Sequence, residues 1–178
     1  MAPDTDTDTG KDTLPPPPGF IPMPEPFPGG FNTASGGFLV GLEAGELIGG
    51  FRVTTAFCNR GGICHGGKLA TVCDVYLALA ALFREDLRTD FLPTVSLGLD
   101  FLTPVAHGAW VELRSETLRI TRSLVFVQGL ATVEGTPAVR ANATYHRTPQ
   151  RPDAAPDTGA MLRALLDHAI PARGGVTP

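Results

Sequence analysis

Cysteine is scarce in this chain: three residues, Cys58, Cys64 and Cys73, in 178. An odd and small number does not suggest a disulfide framework, and reduced thiols in a cytosol fit better. There is no basic excess either, since 14 Lys and Arg face 18 Asp and Glu for a net charge of −4. A duplex nucleic-acid binder would usually carry the opposite balance, although a local basic pocket for a small anion remains allowed. The start, MAPDTDTDTG, is acidic and polar and lacks the pattern of a secretory signal. The charge-free apolar run Val75–Phe83 is far short of the roughly 20 residues that span a bilayer. Together these absences lead us to expect a cytoplasmic, soluble chain with no nucleic-acid and no membrane partner.

What is present is a globular composition, 43% hydrophobic and 18% charged, long enough for one domain with a sizeable core. Three regions are expected. Residues 1–30 read as a flexible Pro-rich tail, with eight prolines between Asp4 and Gly30 and little apolar patterning. Within it the part up to about Pro18 reads as dispensable for catalysis, while Phe20, Ile21, Met23 and Phe27 could anchor the rest onto the domain. Residues 31–147 form the domain, and residues 148–178 a linker and a short amphipathic helix with Met161, Leu162, Leu165 and Leu166 on one side.

Inside the domain, GGFLVGLE and GELIGGFRVT read as a hairpin around a short glycine-containing link. Cys64 to about Asp86 reads as a helix rich in Ala and Leu and apolar on nearly every side, hence buried against a sheet. TVSLGLDFL alternates at strand period, with Val95, Leu97, Leu99 and Phe101 opposite Ser96, Gly98 and Asp100. Two long strands flank the TRS turn, and EGTP turns the chain into AVRANATYHR. There Val139, Ala141, Ala143 and Tyr145 share one face. A hairpin, a long buried helix and four consecutive strands make an α+β chain with an antiparallel sheet packed on one helix.

One residue is out of place in that helix. Asp74 is the only acid between Leu69 and Phe83. Desolvation raises the pKa of a carboxyl group, which suits a general base near neutral pH. The plainer alternative is a carboxylate that reaches solvent or bonds a nearby amide. The preceding GGICHGGK brings a loop into a helix start, where first-turn N–H groups lack helical partners. Gly66 and Gly67 would let a substrate carbonyl approach those donors, or else merely relieve crowding where helix meets sheet. Gly66 and Asp74 are eight residues apart, so they lie within roughly 80° around the axis. One protomer need not supply both groups.

NRGGICHGGKLATVCD resembles the N-x-x-G-x-x-H-G-G signature, followed by an acid, of the hotdog-fold acyl-CoA thioesterases in their phenylacetate-pathway (PaaI-type) branch. PTVSLGLDFLTPVAHGAWVELRSETLRITRSLVFVQG is also similar to that family, and the likeness covers roughly residues 36–147. It implies a long central helix wrapped by an antiparallel sheet, and dimers, often dimers of dimers, with sites at the dimer interface. It implies an acyl-CoA substrate split into a free acid and CoA, with no cofactor. Asp74 matches the acid that activates water or attacks the thioester. Gly66 matches the residue whose N–H polarises the carbonyl, with Gly67 beside it. Asn59 matches an asparagine that orients the thioester or the loop, and His65 a histidine concerned with placement. Ser96 matches a hydroxyl that holds the water in some relatives. Phe57 departs from the family, where histidine often stands two residues before the asparagine.

Other chemistries fit less well. The cysteines lack a C-x-x-C knuckle, and Cys64 and Cys73 would face opposite ways on one helix, so no metal site is expected. Cys64 beside His65 has no third orienting group for nucleophilic catalysis, and GGICHGGK lacks P-loop spacing. Twelve of the 14 basic residues are arginines, and Arg122 in the TRS turn is the expected contact for a CoA phosphate. Two competing functions remain. One is enoyl-CoA hydration, for which His65 is a poor acid–base partner of Asp74. The other is non-catalytic acyl-CoA binding, which has no need of a buried acid.

Overall fold

In the computed structural model, residues 9–23, 30–84, 86, 87, 89, 91–148 and 158–169 are described. Seven strands form one antiparallel sheet in the order β1-β2-β3-β5-β6-β7-β4. They are β1 (Phe20–Pro22), β2 (Leu39–Glu43), β3 (Glu46–Arg52), β4 (Thr94–Phe101), β5 (Trp110–Ile120), β6 (Leu124–Val133) and β7 (Thr136–His146). A single turn, α1 (Phe31–Ala34), precedes β2, and the long helix α2 (Gly66–Phe83) separates β3 from β4. A third helix, α3 (Thr158–Ala169), packs on α2.

Hairpin chemistry sets the register. Ala44–Gly45 and Glu134–Gly135 are two-residue links in which both residues have positive φ. That is the primed turn geometry that matches the twist of the flanking strands. On β7 the alternation holds as expected: Val139, Ala141, Ala143 and Tyr145 are all buried against the helix.

The helix lies close to the sheet because two strand glycines make room for it. A Cβ on Gly49 would sit 2.7 Å from the Tyr76 ring, and one on Gly129 would sit 2.5 Å from Leu77. Two tyrosine hydroxyls then fasten helix to sheet, from Tyr76 to the Leu47 carbonyl at 2.9 Å and from Tyr145 to the Asp74 carbonyl at 2.8 Å. Helix α2 is apolar and long enough by composition to cross a membrane, but half of it is buried in this fold. It is the core helix.

Three expectations need correction. The helix begins at Gly66, because Cys64 is held in a bridge with Cys58 and His65 is the N-cap. It ends at Phe83, where Arg84 turns to extended backbone. The tail is docked not only at Phe20, Ile21 and Met23, as expected, but over residues 9–18 as well. There Asp12 Oδ1 accepts hydrogen bonds from His107 Nε2 at 2.7 Å and from the Thr55 N–H at 2.8 Å. Arg52 donates to the carbonyls of Leu14 and Pro15. Strand β1 adds to the sheet, and Phe20 meets Trp110 edge-on at 5.0 Å. Finally, α3 buries Leu162 and Leu166 but leaves Met161 and Leu165 largely exposed, so the expected four-residue apolar side is split. Phe27 and most of the expected linker after Arg147 lie outside the described residues.

Candidate active site

The loop before α2 is a closed structure of its own. The Asn59 side chain accepts from the Gly61 N–H at 2.8 Å, its N–H donates to Ile63 O at 2.8 Å, and its carbonyl accepts from Gly62. Asn59 therefore shapes this loop, which places the first turn of the helix.

That first turn has a clear allocation of donors. His65 Nδ1 accepts the Gly67 N–H at 2.8 Å, and the His65 carbonyl takes the N–H groups of Lys68 and Leu69. The neutral ring then carries its proton on Nε2. Among the described residues the Gly66 N–H has no acceptor, and it stands at the positive end of an 18-residue helix. The Gly67 N–H, by contrast, is used by the cap.

Gly66 lines an apolar cavity of about 230 Å³, with Asn59, Cys64, Leu69, Phe101 and Val105 among its walls. Small-molecule pockets usually run from roughly 300 Å³ upward, so the protomer holds a partial pocket. Asp74 is not part of its wall. Eight residues of helix separate Asp74 from Gly66 by about 12 Å along the axis.

Asp74 is half-buried rather than enclosed. Its Oδ1 accepts from Thr94 Oγ1 at 2.8 Å. The expected hydroxyl, Ser96, is elsewhere. Strand β4 has an irregularity between Thr94 and Ser96, so Thr94 pairs with Tyr145 while Ser96 pairs with Thr144. Tyr145 faces the helix, so Thr94 does too, and Ser96 points to the outer face. The extra residue, Val95, is 60% exposed.

Arg122 is exposed in the β5–β6 turn. That turn is at the Thr94 end of the sheet, since Leu124 pairs with His146 beside Tyr145 and Thr94. The cavity is at the other end, against Phe101. Within one protomer Arg122 and Asp74 thus lie toward one end, and Gly66, Asn59 and His65 toward the other.

Sequence reasoning missed Lys68. Its side chain is buried, and Nζ donates to the carbonyls of Ser35 at 2.9 Å and Gly37 at 2.6 Å. It lies 4.2 Å from the centre of the Phe57 ring, the residue that stands where relatives often have histidine. Burial pulls the lysine pKa down to about 8. The legible signal was a cation in the first turn of a helix, where the dipole disfavours one, in a chain with only two lysines.

Comparison with known proteins agrees with this architecture. Residues 61–139 match the family model described as "Thioesterase superfamily". The chain's fold is a hotdog fold, an antiparallel sheet around a central helix. The hotdog domain superposes on an Asn-to-Asp variant of the phenylacetic acid degradation protein PaaI from Thermus thermophilus. The TM-score is 0.56 at 26% identity, covering 66% of this chain and 97% of that one. It also superposes on a Streptococcus mutans protein solved with acetyl-CoA bound, with TM-score 0.57 and 21% identity over 64% and 90% of the two chains. In sequence it is 32% identical over 81 residues to a Pseudomonas aeruginosa protein whose name gives it as a candidate esterase. That match covers 46% of this chain and 60% of the relative's length.

Proposed function

We propose that this protein hydrolyses acyl-CoA thioesters. Water adds to the thioester carbonyl carbon, the C–S bond breaks, and a free carboxylic acid and CoA leave. The observation that carries this reading is Gly66, which opens a helix with its N–H lacking an acceptor among the described residues and which lines an apolar cavity. Negative charge grows on the thioester oxygen during attack, and a fixed donor there lowers the barrier. Asp74 supplies the second half. Held by Thr94, its carboxylate takes a proton from water or attacks the carbonyl itself.

The two halves do not meet in one protomer, so the reading includes a homodimer in which Gly66 of one copy faces Asp74 of the other. Among the described residues strand β4 ends the sheet with an unpaired edge, and its Val95 and Phe101 are 60% and 56% exposed. An open edge with apolar side chains is a natural place for a second copy to pair. An acyl-CoA ligand is further supported by the neighbour with acetyl-CoA bound.

Hydration of an enoyl-CoA is disfavoured because His65 spends Nδ1 on the helix cap rather than on acid–base chemistry with a carboxylate. Against a binding-only module, the half-buried position of Asp74 removes the argument from burial. What remains is the oriented carboxylate, which a passive pocket does not require.

The test is release of free CoA from a panel of straight-chain and aryl-CoA thioesters by the purified protein. Turnover of at least one above the spontaneous rate supports the reading. Binding of these thioesters without release would replace it with the binding module.

A further inference from the structure

Two of the three cysteines are paired across the mouth of the loop that carries Asn59. Cys58 and Cys64 form an antiparallel bridge. The hydrogen bonds beside it identify its kind: the Asn59 N–H donates to Ile63 O at 2.8 Å, and the His65 N–H donates to Phe57 O at 2.7 Å. Both bonds flank the cysteines and neither joins them. This is the narrow, non-hydrogen-bonded pair, with Cα atoms about 4.5 Å apart and side chains on one face. Disulfides accept Cα separations of about 4.4–6.8 Å, so the bond can form with little backbone movement.

Both thiols are free, Cys58 half-buried and Cys64 buried. Each holds only a weak sulfur contact, Cys58 to the Thr54 carbonyl at 3.4 Å and Cys64 to the His65 carbonyl at 3.8 Å. Cys73 is a different case, buried within α2 among apolar neighbours.

We propose that Cys58 and Cys64 are a redox-sensitive pair that hydrogen peroxide closes to a disulfide. The more accessible Cys58 reacts first. Its sulfur attacks one peroxide oxygen, giving a sulfenic acid and water. The Cys64 sulfur then attacks the Cys58 sulfur and releases the hydroxyl as a second water. Two thiols lose two protons and two electrons, and one peroxide becomes two waters. The new bond closes a ring around Asn59–Ile63, which sets the wall of the cavity and the start of α2.

The surroundings set the pace. Burial pushes the Cys58 thiol up, with the Asp12 carboxylate adding to it, and burial pushes Cys64 up to about 11 against a small opposing pull from Lys68. Thiolate is scarce at neutral pH, so closure is slow there and faster in mild alkali.

The experiment does not depend on thioester hydrolysis. The reduced full-length chain is treated with hydrogen peroxide, unreacted thiols are alkylated under denaturing conditions, and the protein is digested with trypsin. Cleavage after Arg52, Arg60, Lys68 and Arg84 puts Cys58 in peptide 53–60, Cys64 in 61–68 and Cys73 in 69–84. The expected product is 53–60 joined to 61–68, released by dithiothreitol, with Cys73 alkylated. The link should form faster in mild alkali, survive in Cys73→Ala and vanish in Cys58→Ser. Three results would overturn the proposal: Cys58 and Cys64 both alkylated after excess peroxide, Cys58 driven to sulfinic acid while Cys64 stays free, or a link from either to Cys73.

Discussion

Thr94 Oγ1 donates a 2.8 Å hydrogen bond to Oδ1 of Asp74, from a strand 20 residues further along the chain. The bond keeps one carboxylate oxygen engaged and leaves Oδ2 for a water or a substrate. A hydrogen bond to a charged, partly exposed acceptor contributes about 1.5 kcal/mol, or roughly tenfold in rate if all of it is felt in the transition state. Thr94→Val should therefore lower kcat about tenfold with KM little changed. Ser96→Ala should leave both near wild type, since Ser96 is on the other face. Steady-state kinetics of the two variants decides between the hydroxyls.

Ser96 was the expected hydroxyl because it matches one in the family that the sequence resembles, although strand alternation already sets it on the face opposite Leu97. The irregularity between Thr94 and Ser96 puts Thr94 on the helix face, where simple alternation would have placed it beside Ser96 on the outer one, and no glycine announces it. The features with local causes were legible: the hairpin links, the β7 alternation, the apolar helix and the acid within it. The docking of residues 9–23 was not, because it rests on isolated pairings over long distances, Asp12 with His107 and Arg52 with Leu14 and Pro15. Lys68 was hidden for the same reason, since its acceptors are backbone carbonyls more than 30 residues away.

The buried ammonium of Lys68 makes stability depend on pH in a defined sense. Its folded pKa, about 8, is below the ordinary 10.5, so between those values the unfolded chain binds more protons than the folded one. Stability then rises with pH across that window, by at most about 3 kcal/mol. Lys68→Met lacks this term. Urea unfolding from pH 8 to 10.5 should show wild type gaining on the variant as pH increases; a constant difference would contradict the assignment.

The N-terminal segment should contribute to stability. His107, chiefly, holds the Asp12 carboxyl below its ordinary 3.8. A depressed carboxyl stabilises the fold above its unfolded pKa and loses that effect as pH falls through the folded value. Asp12→Asn should lower Tm near neutral pH, and its gap from wild type should close as pH drops below 3.8. Deleting residues 2–18 should lower Tm further. Thermal scans over pH check both.

A shared site can be tested by mixing. Asp74→Asn and Gly66→Pro should each be nearly inactive alone. After subunit exchange, a heterodimer holds one intact Gly66–Asp74 pair, and the mixture should regain roughly a quarter of wild-type activity. Exchange is followed with differently tagged chains, and helix content by circular dichroism verifies that both variants fold. Exchange without recovered activity would place both groups in one protomer's chemistry or remove one of them.

The central claim is that the Asp74 carboxylate does chemistry on a thioester, and the most direct measurement is kcat for CoA release by Asp74→Asn on the best substrate of the wild-type panel. The substitution keeps the shape and an acceptor for Thr94 but removes the base. The account predicts a fall in kcat of roughly 10²–10⁴ with KM within a few-fold of wild type. Turnover near the wild-type rate by a folded Asp74→Asn protein would contradict it.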